Sequence, residues 1–188
     1  GSFLVQAMVK ELADCRRGKT EDEAAVLMKK VKEEHIFGIE VEEKAYGLST
    51  TNMLIHGDGN SNIKFGSCFD CKQFIMDAIL MNPPYNAKPI GIPEKYKSDW
   101  GKAKDGKEDP TKGLVFTHFL SDVIKEMNDK REKDGLPRKT VKMAVLLPVS
   151  AAIGTSKIVQ NEKILMLEEN TLEAVFTLPA EIFYPGAA

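Results

Sequence analysis

Apolar residues recur at helical spacing from Phe3 to Arg17, where Leu4, Met8, Leu12 and Cys15 share one face and Gly18 follows. A second, charged helix is predicted over residues 19–34, with Ala24, Leu27, Met28 and Val31 on its inner side. The period then shortens. His35 to Glu40 reads as a short buried strand that ends in an acid, and Val41 to Ile55 returns to a helical pattern. The turn formers His56-Gly57-Asp58-Gly59-Asn60 stop it. Ile63 to Gly66 and Ile75 to Met81 read as further buried strands, and residues 86–113 as a long loop without periodicity. Leu114 to Arg131 is a helix carried by Phe116, Phe119, Leu120, Val123, Ile124 and Met127, broken at Asp134-Gly135-Leu136-Pro137. Val141 to Leu147 is a strand stopped by Pro148, Ser156 to Glu169 a helix, and Leu172 to Leu178 a strand stopped by Pro179.

Strands that alternate with helices predict an α/β fold with a mainly parallel sheet flanked by helices, in one domain spanning residues 1–188. Sheets of this kind bind ligands at the carboxyl ends of their strands. That rule singles out Glu40, Ser67 and Asn82.

Composition adds bounds. Hydrophobic residues make up 43% and charged residues 29%, the balance of an ordinary globular protein. No apolar run reaches the roughly 20 residues that cross a bilayer, and the start of the chain lacks a signal-peptide layout. Three cysteines without such a signal point to a reducing compartment, so a cytoplasmic location and no membrane partner are expected. The net charge of −2 does not by itself advertise a nucleic-acid binder. Residues 86–113 hold seven lysines against five acids, which fits a solvated loop of mixed charge or a phosphate contact.

The chemistry concentrates in Asn82-Pro83-Pro84-Tyr85, directly after an apolar strand. Proline fixes φ, removes an N–H and drives the preceding residue into an extended conformation. The result is a stiff corner at which the Asn82 side-chain oxygen and the Pro83 carbonyl are available as paired acceptors, with Tyr85 offering a stacking face. Two acceptors facing one planar amine suit its two N–H donors. They favour a pyramidal nitrogen and stabilise the positive charge that develops as it attacks an electrophile. The same four residues also read as a rigid strand-ending turn without a ligand.

Asn82-Pro83-Pro84-Tyr85 resembles the catalytic motif of S-adenosylmethionine-dependent amino-methyltransferases, chiefly the DNA adenine-N6 enzymes. Gly1-Ser2-Phe3-Leu4-Val5-Gln6-Ala7-Met8 is similar to the tail of that family's glycine-rich cofactor loop and the following helix. Phe37-Gly38-Ile39-Glu40 resembles the next strand, whose terminal acid holds ribose hydroxyls. Tyr46 through Asn52-Met53-Leu54-Ile55-His56-Gly57, Ala144-Val145-Leu146-Leu147-Pro148, residues 172–179 and Ile182-Phe183-Tyr184 resemble segments of type I restriction–modification methylation subunits.

The resemblance implies a Rossmann-like methyltransferase fold and methyl transfer from S-adenosylmethionine to N6 of an adenine flipped out of DNA. Asn82, Pro83 and Pro84 would form the catalytic corner, and Tyr85 would stack on the base with Phe183 packed against it. Gly1, Ser2, Phe3, Glu40, Ser67 and Cys68 would contact the cofactor. Ser67 stands where the family often carries an acid. The expected partners are DNA, a specificity subunit and a restriction subunit. The family pattern also begins before Gly1 and continues past Ala188, so the chain is expected to be a partial catalytic domain, truncated at both ends, that binds cofactor weakly alone. Two other readings keep the motif: a methyltransferase of glutamine in translation release factors, and an inactive docking module.

Remaining signals carry less. Cys68-Phe69-Asp70-Cys71 lacks the second ligand pair that structural zinc needs, and His35, His56 and His118 make no metal set. Gly57-Asp58-Gly59 lacks the third glycine of a dinucleotide fingerprint.

Overall fold

A capping box opens the second helix: the Thr20 hydroxyl accepts from the Glu23 amide at 3.4 Å, and the Glu23 carboxylate accepts from the Thr20 amide at 3.0 Å. The computed structural model describes residues 2–57, 62–73, 75–84, 89–97, 109–179 and 182. Gly1, Tyr85 and Phe183, three of the expected site residues, lie outside the described residues, as do Asp58 and Gly59 and the side chain of Cys71.

The chain divides into two compact units, Gly1–Phe74 and Ile75–Ala188. The first contains α1 (Ser2–Cys15), α2 (Glu21–Lys30), a π-helical turn (Val31–His35), β1 (Gly38–Glu40), α3 (Glu43–Ile55), β2 (Ile63–Phe65) and a 3₁₀ segment (Cys68–Gln73). Strands β1 and β2 pair in parallel, with Gly38 opposite Ile63 and Glu40 opposite Phe65. Their core joins Val5 and Met8 of α1 to Val31, Ile36, Met53 and Ile63. Leu4 of α1 packs directly over Gly38, where a Cβ would lie 2.7 Å from the Leu4 Cδ1.

The second unit contains β3 (Ala78–Met81), a 3₁₀ turn (Glu94–Tyr96), α4 (Leu114–Lys133), β4 (Lys142–Val145), α5 (Val149–Ile153) and α6 (Lys157–Glu169). Strands β3 and β4 are again parallel, Ala78 opposite Lys142 and Met81 opposite Val145. Helix α4 starts after Gly113, whose φ of 86° places it in the left-handed region that glycine tolerates. Its inner face buries Val115, Phe116, Phe119, Leu120 and Val123. Burying a phenylalanine such as Phe119 contributes about 1.5–3 kcal/mol. The Asn128 side chain ties the return segment to this helix, donating to the Lys139 carbonyl at 3.0 Å and accepting from its amide at 2.7 Å.

Three expectations need correction. The strand over His35 to Glu40 begins only at Gly38, because residues 31–35 extend α2 as a wider π turn. β3 covers Ala78–Met81 rather than Ile75 to Met81 and is not buried: Ile75 is 68% and Leu80 52% exposed. Its apolar run reads like a fully covered strand, yet among the described residues β4 is its single ladder partner. Residues 172–178 form no strand, and Phe176 is 83% exposed. Their β-branched and aromatic pattern is a capacity for pairing, and no partner ladder forms among the described residues. Helix α5 was not expected; extended Pro148 stands at its N-cap. No helix among the described residues is long and apolar enough to cross a membrane.

Candidate active site

At the end of β1 the chain turns sharply, and Glu40 shapes the turn. Its Oε1 accepts from the amides of Val41 and Glu42, both at 2.9 Å. This leaves Oε2 without a hydrogen-bond partner among the described residues. A carboxylate held by one oxygen presents the other as an oriented acceptor for hydroxyl donors. Glu42 completes the turn by capping α3, accepting from the Ala45 amide at 2.6 Å.

The neighbouring strand brings Ser67 to the same end of this pair. The Gly66 amide donates to the Glu40 carbonyl at 2.9 Å, and Ser67 follows directly. The Ser67 hydroxyl accepts from the Phe69 amide at 3.3 Å, capping the 3₁₀ segment that holds half-buried Cys68. Ser2 and Phe3 form the first residues of α1. Ser2 lines an open groove of about 370 Å³ with Leu48, Ser49, Thr51, Asn52 and Ile55. Glu40 and Ser67 are therefore brought together, and Ser2, Phe3 and Cys68 belong to the same unit.

Asn82, Pro83 and Pro84 belong to the second unit. The Leu146 amide donates to the Met81 carbonyl at 2.9 Å, which fixes the last rung before the corner. Pro83 is then buried while Asn82 and Pro84 are exposed. The Asn82 amide has no hydrogen-bond partner among the described residues. A corner anchored by one buried ring thus leaves the Asn82 amide facing solvent, with both its acceptor oxygen and its N–H donors exposed.

Sequence reasoning missed a polar cluster that follows this corner. Asp122 of α4 accepts on one oxygen, Oδ2, from Lys95 Nζ and Tyr96 Oη, each at 2.8 Å. Tyr96 is 4% exposed, its ring edge-on to His118 at 5.1 Å and to Phe119 at 5.6 Å. His118 Nδ1 lies 2.8 Å from Glu162 Oε2 of α6. The i,i+4 spacing of His118 and Asp122 on α4 was the one visible signal. Lys97 pairs with Glu94 at 2.9 Å, so Lys95 and Lys97 of the lysine-rich loop both engage carboxylates of the chain itself.

Charge follows contact here. Burial first, opposed by the bond from Lys95, pushes the Tyr96 phenol up to about 12. Burial alone would raise the Asp122 carboxyl, but the bonds from Lys95 and Tyr96 outweigh it and hold it below its ordinary value. The bond to Glu162 lifts the His118 imidazole above 6.5, against the opposing effect of burial. A raised histidine pKa stabilises the fold fully below the unfolded value and ceases to do so as pH rises through the folded one. The stability difference between the wild type and His118→Gln should therefore shrink as pH increases from 6 through the neutral range. Thermal melts of both proteins across that range check this; a difference independent of pH would contradict it.

No solved structure matches the chain. A relative from Heyndrickxia coagulans, the "Type II restriction enzyme and methyltransferase RM.BcgI", is 27% identical over 189 residues. The alignment covers 98% of this chain but 24% of the relative, so the chain spans about a quarter of that protein's length. The family model described as N-6 DNA Methylase matches residues 1–188. The chain belongs to the N-6 DNA methylase family.

Proposed function

We propose that the chain is the catalytic domain, with a Rossmann-like methyltransferase fold, of an enzyme that methylates N6 of adenine in DNA within a restriction–modification system. The observation that carries this reading is the Asn82 corner: an exposed, unengaged amide after a parallel strand, followed by a buried proline, in a chain of this family. In the proposed reaction the Asn82 side-chain oxygen and the Pro83 carbonyl accept from the two amine hydrogens of the target base. They stabilise the positive charge that grows on the nitrogen, and no strong general base is needed because the proton can leave to water after attack. Tyr85 stacks on the base once it is flipped from the duplex, with Phe183 against it.

The proposed methyl donor, S-adenosylmethionine, supplies an electrophilic methyl on a sulfonium. The first unit's residues fit such a molecule. Glu40 has one oxygen locked by two amides and the other open to paired ribose hydroxyls, and Ser67 stands beside it at the next strand end. Gly1, Ser2, Phe3 and Cys68 would complete its contacts.

The likeness of residues 46–57 and 172–184 to type I methylation subunits suggests a separate specificity subunit, and a restriction subunit, as partners. The relative's name, which joins restriction and methylation, favours a second arrangement in which both activities share one polypeptide.

Methyl transfer from labelled cofactor, offered unmethylated DNA and a translation release factor side by side, tests the proposal. Label is expected in the DNA. Label confined to the protein would replace this reading with the glutamine-methylating one, and label in neither would leave a docking role.

A further inference from the structure

Resting on the catalytic reading of the Asn82 corner, we propose that Asp122 and His118 are positioning residues for it, because they clamp the chain segment that leaves the motif. Pro83 is buried on one side of Tyr85, and Pro89 and Ile92 are buried on the other. The described chain is therefore buried just after Asn82 and again at Pro89. The second hold continues into the 3₁₀ turn Glu94–Tyr96, which Asp122 fixes by two bonds at 2.8 Å converging on one oxygen.

The clamp is built in depth. The Tyr96 ring rests edge-on against His118 and Phe119, with interplanar angles of 90° and 82°. Lys95 Nζ also sits 4.6 Å from the centre of that ring. His118 is steadied in turn by Glu162, which is 6% exposed and reaches it from α6. Among the described residues, the charged groups that meet Tyr96 and His118 are Lys95, Asp122 and Glu162. None of them touches the reacting atoms in the proposed mechanism, so their effect on rate passes through the Asn82 corner.

Reaction rate is steeper in position than binding is: misplacing a reacting group by about 1 Å can lower the rate by about 10²-fold. Loosening the clamp should therefore lower kcat and spare cofactor affinity, whose proposed residues lie in the first unit. Asp122→Ala removes both bonds, and Tyr96→Phe removes one while keeping the ring. Asp122→Asn keeps an acceptor oxygen and gives up the charge.

The test measures kcat, the KM for DNA and the cofactor Kd for these three variants in the complete protein, well below each one's Tm. The expected result is a fall in kcat of about tenfold for Asp122→Ala and about two- to fivefold for Tyr96→Phe, with cofactor Kd unchanged. Asp122→Asn is expected to stay within about twofold of wild type, since the acceptor survives. A merely structural role would lower Tm and leave kcat alone. Wild-type kcat in both Asp122→Ala and Tyr96→Phe, in a protein that Asn82→Ala inactivates, would overturn the clamp but not the corner. A wild-type protein without methyl transfer would overturn both.

Discussion

Asn82→Ala is expected to lower kcat for methyl transfer by about 10²–10³-fold, the range found when one preorganised polar group that stabilises transition-state charge is removed. The side chain is exposed and makes no hydrogen bond among the described residues, so Tm should stay within the small range of a surface change. That combination separates catalysis from folding. Pro83, by contrast, is buried, and its replacement would disturb both. Kinetics at saturating DNA and cofactor, beside a thermal melt, check the prediction. Wild-type turnover in the variant would remove Asn82 from the chemistry.

A comparably large effect, on stability, is expected at the entry to α4. Asp109 is fully buried and its carboxylate organises the entry to α4. Oδ1 accepts from the Thr111 amide at 2.8 Å and hydroxyl at 2.6 Å, and Oδ2 accepts from the Gly113 amide at 2.9 Å. The Thr111 oxygen passes the order on, accepting from the Val115 amide at 3.0 Å. Asp109→Ala strands three buried donors and leaves a void. Hydrogen bonds to a charged group are worth about 1.5–3 kcal/mol each, and unmet donors carry a desolvation cost, so a loss of about 3–5 kcal/mol is expected. Asp109→Asn, which keeps one acceptor, should cost less. Denaturant titration of both variants checks the order; equal midpoints for Asp109→Ala and wild type would show that the cap is not what holds α4.

The longer helices were legible because their signals are local. Gly18 beyond α1 and the apolar face of α4 can both be read within a few turns of chain. The strand extents were less so. β3 and residues 172–178 have similar apolar character, yet among the described residues one pairs and the other does not, since pairing depends on a ladder partner distant in sequence. At the candidate site, the strand-end places of Asn82 and Glu40 were legible from the apolar runs before them, whereas the exposure of Asn82 and the Glu40 lock on two backbone amides are matters of turn geometry. The Tyr96 clamp was invisible for a different reason. It gathers residues from the 3₁₀ turn, α4 and α6, and Asp122 and Glu162 look like ordinary helix-surface acids until the helices are packed.

The most direct test is to identify the methylated atom. DNA treated with the protein and isotope-labelled cofactor would be digested to nucleosides and resolved by mass spectrometry. The account predicts the label in N6-methyldeoxyadenosine and its loss with Asn82→Ala. Label on cytosine, or undiminished N6 label in that variant, would contradict it.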